Sequence, residues 1–310
     1  MQAGKRVLQL MGTIIELYVA HPEYEQLLHS AEASLRDYAK RFSAHDSQSQ
    51  LGHLQQMAGK SRIMLEKDLF ELIKIGTHYS QKQDLFLNIA IGPLTRLWHI
   101  GFSDQKRPTQ AEIDRVLPLI DPKSIILDEK EQSVFLAKAG MALDLGAIAK
   151  GYFADLIMQS WRQAGVTAAY INLGGNVLVY GPALHTKDFQ WRVGIQNPFM
   201  PRGNTLLTLK IHNQSVVTSG IYERNFQLGN NHFHHIFDSQ TGYPIASEIA
   251  SITVIAEQSL TCELWTTLLF GASAKEAICY LNQLPAVEGI VITKDHQLFQ
   301  TANLSHFIAE

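Results

Sequence analysis

Apolar residues recur along this chain at two spacings, and the alternation between them predicts its elements. Over residues 23–41, Tyr24, Leu27, Leu28, Ala31, Leu35 and Tyr38 share one face at helical spacing, because side chains three and four apart stack on the same side of an α-helix. Leu69, Leu72, Ile73, Ile75 and Tyr79 predict a second helix over 66–83. Ala154, Ile157, Met158 and Trp161 predict a third. It lies within ALDLGAIAKGYFADLIMQSWRQAG, which reads as a strand end, a glycine-rich turn and a long helix with Gly165 at its C-terminus. Thr109, with Glu112 three residues on, carries the capping-box signature of a short helix within 108–117. TCELWTTLLFGAS starts a further helix, and KEAICYLNQL continues its pattern.

Strand signals fill much of the rest. Residues 6–19, RVLQLMGTIIELYV, are β-branched and aliphatic and predict a strand or a hairpin. Residues 124–136 predict two short strands around DEKEQ, and AAYINLGGNVLVYG a strand interrupted at Gly174-Gly175. WRVGIQNP, TLLTLKIH, SVVTSG, FHHIFD and ASITVIA are further strands, and VEGIVITKDHQLFQT a closing hairpin. FSAHDSQSQLGHLQQMAGKS is polar and predicts a loop with room for a short helix, and Gly92-Pro93 punctuates the apolar run FLNIAIGPLTRLWHIGF. Strands and helices mix without a regular βαβ rhythm. The expected class is α+β, with mixed or antiparallel sheets covered by helices. No linker or short-period repeat divides the chain, so one domain over 1–310 is expected.

Composition narrows the function classes. The chain has 310 residues, 46% of them hydrophobic and 18% charged, which suits a globular protein with a sizeable core. A net charge of -3, without a run of like charges, leaves no footprint for nucleic acid. No apolar run approaches a membrane span. The start, MQAGKRVLQLMGTIIEL, shows neither a signal-peptide cleavage pattern nor a lipid-attachment cysteine, so a cytoplasmic protein is expected. Cys262 and Cys279 form neither a disulfide framework nor a zinc site and read as small buried residues.

Taken singly, the chemical motifs are weak. Asp144-Leu-Gly-Ala-Ile-Ala-Lys150-Gly151 is a glycine-containing turn before a helix, the form of an anion site, with Lys150 adding charge. It matches neither dinucleotide nor Walker patterns, and a tight helix start is an equal reading. INLGGN (171–176) is a second glycine turn that, taken alone, reads first as a bulge. Arg224 has the fork geometry for phosphate, although a solvated arginine is commoner. His234 and His235 are neighbours on an expected strand, so at most one enters a given site. Glu263 and Thr267, four apart at an expected helix start, place two oxygen donors on one face, as a hard cation such as Mg²⁺ accepts, although taken singly a solvated first-turn glutamate favoured by the helix dipole is the stronger reading.

Together and in order, the segments are more specific. Met11-Gly-Thr13, RFSAHDSQSQL (41–51), NIAIGPLTRLW (88–98), LDLGAIAKGYFAD (143–155), INLGGN, TSGIYER (218–224), HIFDSQTGYPI (235–245) and ITVIAEQSLTCELWTTLLFG (252–271) span nearly the whole chain. In this it resembles the FAD:protein FMN transferase, or ApbE, family. The resemblance implies a single α+β, T-fold-like domain that transfers FMN from FAD, its substrate, to a Thr or Ser hydroxyl of an acceptor protein, releasing AMP. The cofactor implied is Mg²⁺, with Mn²⁺ left open. The partner implied is an acceptor flavoprotein or electron-transfer subunit. Asp144 and Lys150 are then expected at the FAD, with Met11, His45, Phe86, Leu87, Asn88 and Phe237 lining it and Arg224 near its phosphates. The Ala147 carbonyl, Glu263 and Thr267 are expected to hold the metal, and His235 to stand as general base by the acceptor hydroxyl. The chain departs from the family pattern at Glu263 and Asn88, where Asp is usual, at His45 for Tyr, at Ile221 for Asp, and in DSQTG. FAD hydrolysis to FMN and AMP, or flavin binding alone, would need much the same site, and sequence does not separate them.

Overall fold

The computed structural model describes residues 2–223, 225–229 and 231–309. The chain opens with a hairpin, β1 (Ala3–Leu10) and β2 (Thr13–Ala20), turned at Met11-Gly12. Helix α1 (Tyr24–Arg41), short α2 (Gln50–Gln56), β3 (Ile63–Met64) and α3 (Lys67–Ser80) follow. A 3₁₀ turn at Ile89–Ile91 leads into α4 (Gly92–Trp98), then come α5 (Gln110–Val116), β4 (Ile125–Asp128) and β5 (Ser133–Leu136). Helix α6 (Ala149–Gln163) precedes the hairpin β6 (Ala168–Leu173) and β7 (Asn176–Tyr180). The remaining strands are β8 (Trp191–Gln196), β9 (Thr205–Ile211), β10 (Ser215–Gly220), β11 (Asn225–Leu228), β12 (Asn231–His234) and β13 (Ile249–Ala256). Helices α7 (Ser259–Leu268) and α8 (Ala274–Asn282), then β14 (Glu288–Thr293) and β15 (Leu298–Gln300), close the chain.

The frame is an eight-stranded sheet in the order β1-β2-β6-β7-β10-β13-β14-β15, antiparallel at every pairing. Burial follows position in it. Edge strand β1 alternates exposed and half-buried residues, whereas β13 is buried at every position because both its faces are covered. On one face, Ile15, Leu17, Ile171 and Leu173 pack with Leu35 of α1, Leu69 and Leu72 of α3 and Phe153 and Trp161 of α6. On the other, Ala168, Ile255 and Ile290 meet Trp191, Ile195 and Leu209 of the β8–β9 ribbon. Helices therefore cover one face, while a two-stranded ribbon covers part of the other.

Most expected elements form, and the exceptions have local causes. Gly92-Pro93 starts α4 instead of breaking the run, since proline is tolerated in a first helical turn. The expected strand end at 142–145 is irregular backbone; the Asp144 N–H donates to the Ile89 carbonyl at 2.8 Å instead. FHHIFD is a strand only as far as His234, after which Asp238 closes a turn through bonds with Tyr243 and Gly242. Cys262 is buried as expected, but Cys279 is exposed on α8.

The fold gathers the glycine turns at one end of the sheet. Ile15 pairs with Leu173 and Val177 with Val216, so the β1–β2 turn, the β6–β7 turn and the C-terminal end of β10 lie along one rim. Gly174 there has φ +68, and a Cβ on it would fall 2.1 Å from the Thr13 hydroxyl. The glycine is thus required both by its left-handed backbone and by the adjacent Met11-Gly12-Thr13 turn.

Candidate functional site

The motif segments meet through a chain of bonds near the first turn of α6 and the middle of α7. Asn88 caps the 3₁₀ turn through its Oδ1 and the Ala90 N–H, 2.8 Å. Its Nδ2 donates to the Ile120 carbonyl at 2.8 Å and to Ser239 Oγ at 3.0 Å, tying the DSQTG loop to this point. The next carbonyl, of Ile89, receives the Asp144 N–H. Asp144 Oδ1 accepts the Gly146 N–H at 2.9 Å and shapes the loop before α6. The Gly146 carbonyl accepts from Lys150 Nζ at 3.3 Å, and that ammonium lies 3.2 Å from Glu263 Oε1. Glu263 Oε2 accepts the Gly151 N–H at 2.7 Å.

Glu263 is 3% exposed. A carboxylate so buried requires partners for both oxygens, and here one is a backbone N–H and the other a lysine. Helix α7 begins at Ser259, so Glu263 lies in its second turn, not its first, and Thr267 follows one turn later on the same face. The helix is anchored from two sides. Ser219 of β10 donates to Thr266 Oγ1 at 3.0 Å, which donates to the Glu263 carbonyl at 3.0 Å. Asp155 of α6 accepts the Ser259 and Leu260 N–H groups, each at 2.8 Å, and caps the α7 N-terminus from a distance. Burial pushes the Asp155 carboxyl up to about 6, against those two bonds, and the Glu263 charge pushes the same way. The role of Asp155 escaped the sequence reading, although it closes LDLGAIAKGYFAD; capping between helices 104 residues apart leaves no local pattern.

Phe86 joins the same region through its N–H to the Leu268 carbonyl, 3.0 Å, and Leu87 is buried in the main core. Met11 has φ +52 on the β1–β2 turn and packs half-buried against that core. Ala147 is exposed in the loop before α6. His45 stands outside the chain of bonds: it is exposed, with its ring 5.7 Å from that of Phe102. Phe237 is 6% exposed in an aromatic cluster, 5.8 Å from Trp98. Arg224 lies outside the described residues. Arg41, at the head of RFSAHDSQSQL, is structural: its guanidinium clamps Asp68 at 2.7 and 2.6 Å and joins α1 to α3.

The adjacent histidines part as the strand geometry requires. His234 is buried, its Nε2 3.2 Å from the Ile245 carbonyl, while its Nδ1 accepts the Ile236 N–H at 3.3 Å. These bonds fit the neutral ring with the proton on Nε2. His235 is half-buried beside it. Burial lowers His234 from 6.5 to about 4, with His235 and Lys294 adding repulsion. The unfolded chain then binds the extra proton first, so this residue's contribution to stability is lost as pH falls from 6.5 toward 4. At about 1.4 kcal/mol per unit, the full loss is about 3–4 kcal/mol. Urea midpoints of wild type and His234→Phe should diverge at pH 7 and converge at pH 4.5; parallel pH profiles would remove His234 as the cause.

The donors near Glu263 are a carboxylate, a hydroxyl and loop carbonyls, the hard oxygen ligands that suit Mg²⁺. Among the described residues no cluster of three or more His, Cys, Asp or Glu is placed to hold a metal; the candidate set includes only one residue of those kinds. A surface groove of about 680 Å³ along the outer side of α6, lined by Gln159, Arg162, Tyr180 and Glu257, contains none of Asp144, Lys150 and Glu263. Among the described residues no helix is long and apolar enough to cross a membrane.

Comparison with known proteins places this geometry in context. The sequence profile of the ApbE family matches residues 11–291. The chain is 38% identical over 289 residues to a FAD:protein FMN transferase of Klebsiella pneumoniae, covering 93% of this chain and 89% of that one. It is 29% identical to one of Treponema pallidum, covering 95% and 86%. The fold matches the crystal structure of the ApbE protein of Thermotoga maritima with a TM-score of 0.89 and 22% identity, over 100% of both chains. It matches the apo flavinyl transferase ApbE of Pseudomonas stutzeri with 0.85 and 21% identity, over 100% and 98%.

Proposed function

The chain belongs to the ApbE family, and from that premise we propose that it transfers FMN from FAD to a Thr or Ser hydroxyl of an acceptor protein, with residues 1–310 acting as one catalytic unit. The observation that supports this most directly is the buried Glu263 carboxylate, held at the α6–α7 contact beside Lys150 and the Asp144 loop. Mg²⁺ would be held there by Glu263, Thr267 and the Ala147 carbonyl. When bound, it supplies neutralising charge and Lewis acidity at the pyrophosphate.

The protein's own residues do the rest by placement, as phosphoryl chemistry of this kind needs little covalent help. The acceptor hydroxyl attacks the phosphorus of the FMN half, the bond to the bridging pyrophosphate oxygen breaks, and AMP departs with the electron pair. His235 takes the hydroxyl proton, the general-base role that a histidine side chain can fill. Asp144 and Asn88 shape the loops against which the flavin half is held, with Met11, His45, Phe86, Leu87 and Phe237 proposed along it. Arg224 is proposed for the phosphates.

Intact mass of an acceptor incubated with the protein, FAD and MgCl₂ tests the reading. The expected result is a gain of one phosphoester-linked FMN, lost in EDTA. For His235→Ala the rate should fall ~10²–10⁴-fold, the usual share of a general base. Release of AMP with free FMN and no acceptor adduct would overturn transfer in favour of hydrolysis.

A further inference from the structure

Lys150 holds a place in this site that binding a flavin does not by itself explain. It is the second residue of α6, and its ammonium lies between two oxygens of different origin: the Gly146 carbonyl at 3.3 Å and Glu263 Oε1 at 3.2 Å. The carboxylate is fixed, with its side chain 4% exposed and its other oxygen on the Gly151 N–H at 2.7 Å. The lysine is not, since its side chain is 32% exposed and sits on a flexible stem. Asp155, half-buried, adds a second acidic group whose field reaches Glu263.

A buried carboxylate left with one backbone N–H and a nearby second acid is strongly unfavourable without a counter-charge. Without metal, Lys150 supplies it. With a divalent cation on Glu263, the lysine would be a like charge competing for the same oxygen. We propose that Lys150 is the resident counter-cation of Glu263, and that a divalent metal binds by taking its place while the lysine swings toward solvent. The inference rests on the metal-ligand role proposed above for Glu263. It adds that metal affinity is set by a lysine that is not a ligand. An occupied oxygen lowers apparent affinity by the fraction of time it is free. Were the lysine docked nine-tenths of the time, its removal would raise affinity about tenfold.

The test uses the whole chain, stripped with EDTA and titrated with MgCl₂, read by calorimetry and by melting temperature. Lys150→Met should melt below wild type without metal, because Glu263 is then unpaired. It should bind Mg²⁺ about tenfold more tightly, and Mg²⁺ should raise its melting temperature more than that of wild type. Lys150→Arg, which keeps the cation, should bind Mg²⁺ no more tightly than wild type. Unchanged or weaker binding by Lys150→Met overturns the exchange, as does equal tightening in Lys150→Arg. Glu263→Gln separates the two layers of the argument. If it binds Mg²⁺ like wild type, or if Mg²⁺ affects none of the proteins, the ligand assignment has failed. If Glu263→Gln loses the metal while Lys150→Met gains nothing, the exchange alone has failed.

Discussion

Glu263→Gln is expected to lower flavin transfer by ~10³-fold or more, because metal stabilisation of developing charge is worth several kcal/mol. The substitution keeps the shape and an oxygen for the Gly151 N–H, which now sits 2.7 Å from Oε2. It removes the negative charge that attracts a cation. The fold should tolerate it. Lys150, with a third of its side chain exposed, can turn to water once its partner is neutral, and an isosteric amide at a buried ion-pair position leaves no unpaired charge inside. Steady-state transfer and a thermal melt on one preparation decide the matter. A melting temperature within a few degrees of wild type, with transfer nearly gone, is the expected pair. Transfer at close to the normal rate would remove Glu263 from the chemistry.

Gly151→Ala should be the most damaging small substitution, with a sign opposite to helix propensity. Alanine in a helix is ordinarily worth about 1 kcal/mol over glycine. At this position the added Cβ would lie 2.7 Å from the Ser259 carbonyl oxygen and 2.8 Å from the Leu260 nitrogen. Those are backbone atoms at the N-terminus of α7 and cannot rotate away. The helices must separate, and the expected loss of stability is about 2–3 kcal/mol, toward the upper end for overpacking. The Gly151 N–H that holds Glu263 and the Asp155 carboxylate that caps α7 lie on the same contact, so transfer should fall further than stability alone explains. Urea unfolding gives the first quantity and transfer measured well below the unfolding midpoint gives the second. A variant as stable as wild type would show that α6 and α7 have slack the structure does not suggest.

By itself the sequence determined the elements whose cause is local and proposed the candidate site residues. The 3.6-residue periodicity of α1, α3 and α6, the Thr109–Glu112 capping box and the Gly174-Gly175 turn all depend on neighbours a few positions away. The ordered motifs, from Met11-Gly-Thr13 to the α7 segment, also point to the ApbE family on their own. Where the sequence pattern pointed the other way, as at Gly92-Pro93 and in FHHIFD, local backbone geometry decided: a proline accepted in a first helical turn, and a turn closed by Asp238.

Only the tertiary structure decided which of those residues act together. Gly151 and Glu263 are 112 positions apart, Asn88 and Ser239 are 151 apart, and Asp155 caps a helix starting 104 residues later. Such contacts come from the antiparallel sheet that sets β10 and β13 beneath α7, and from a glycine small enough to let α6 touch it. Neither leaves a periodic trace along the chain. For that reason a carboxylate that sequence could describe only as one oxygen donor on a helix is, in the fold, a buried charge shared between a backbone N–H and a lysine.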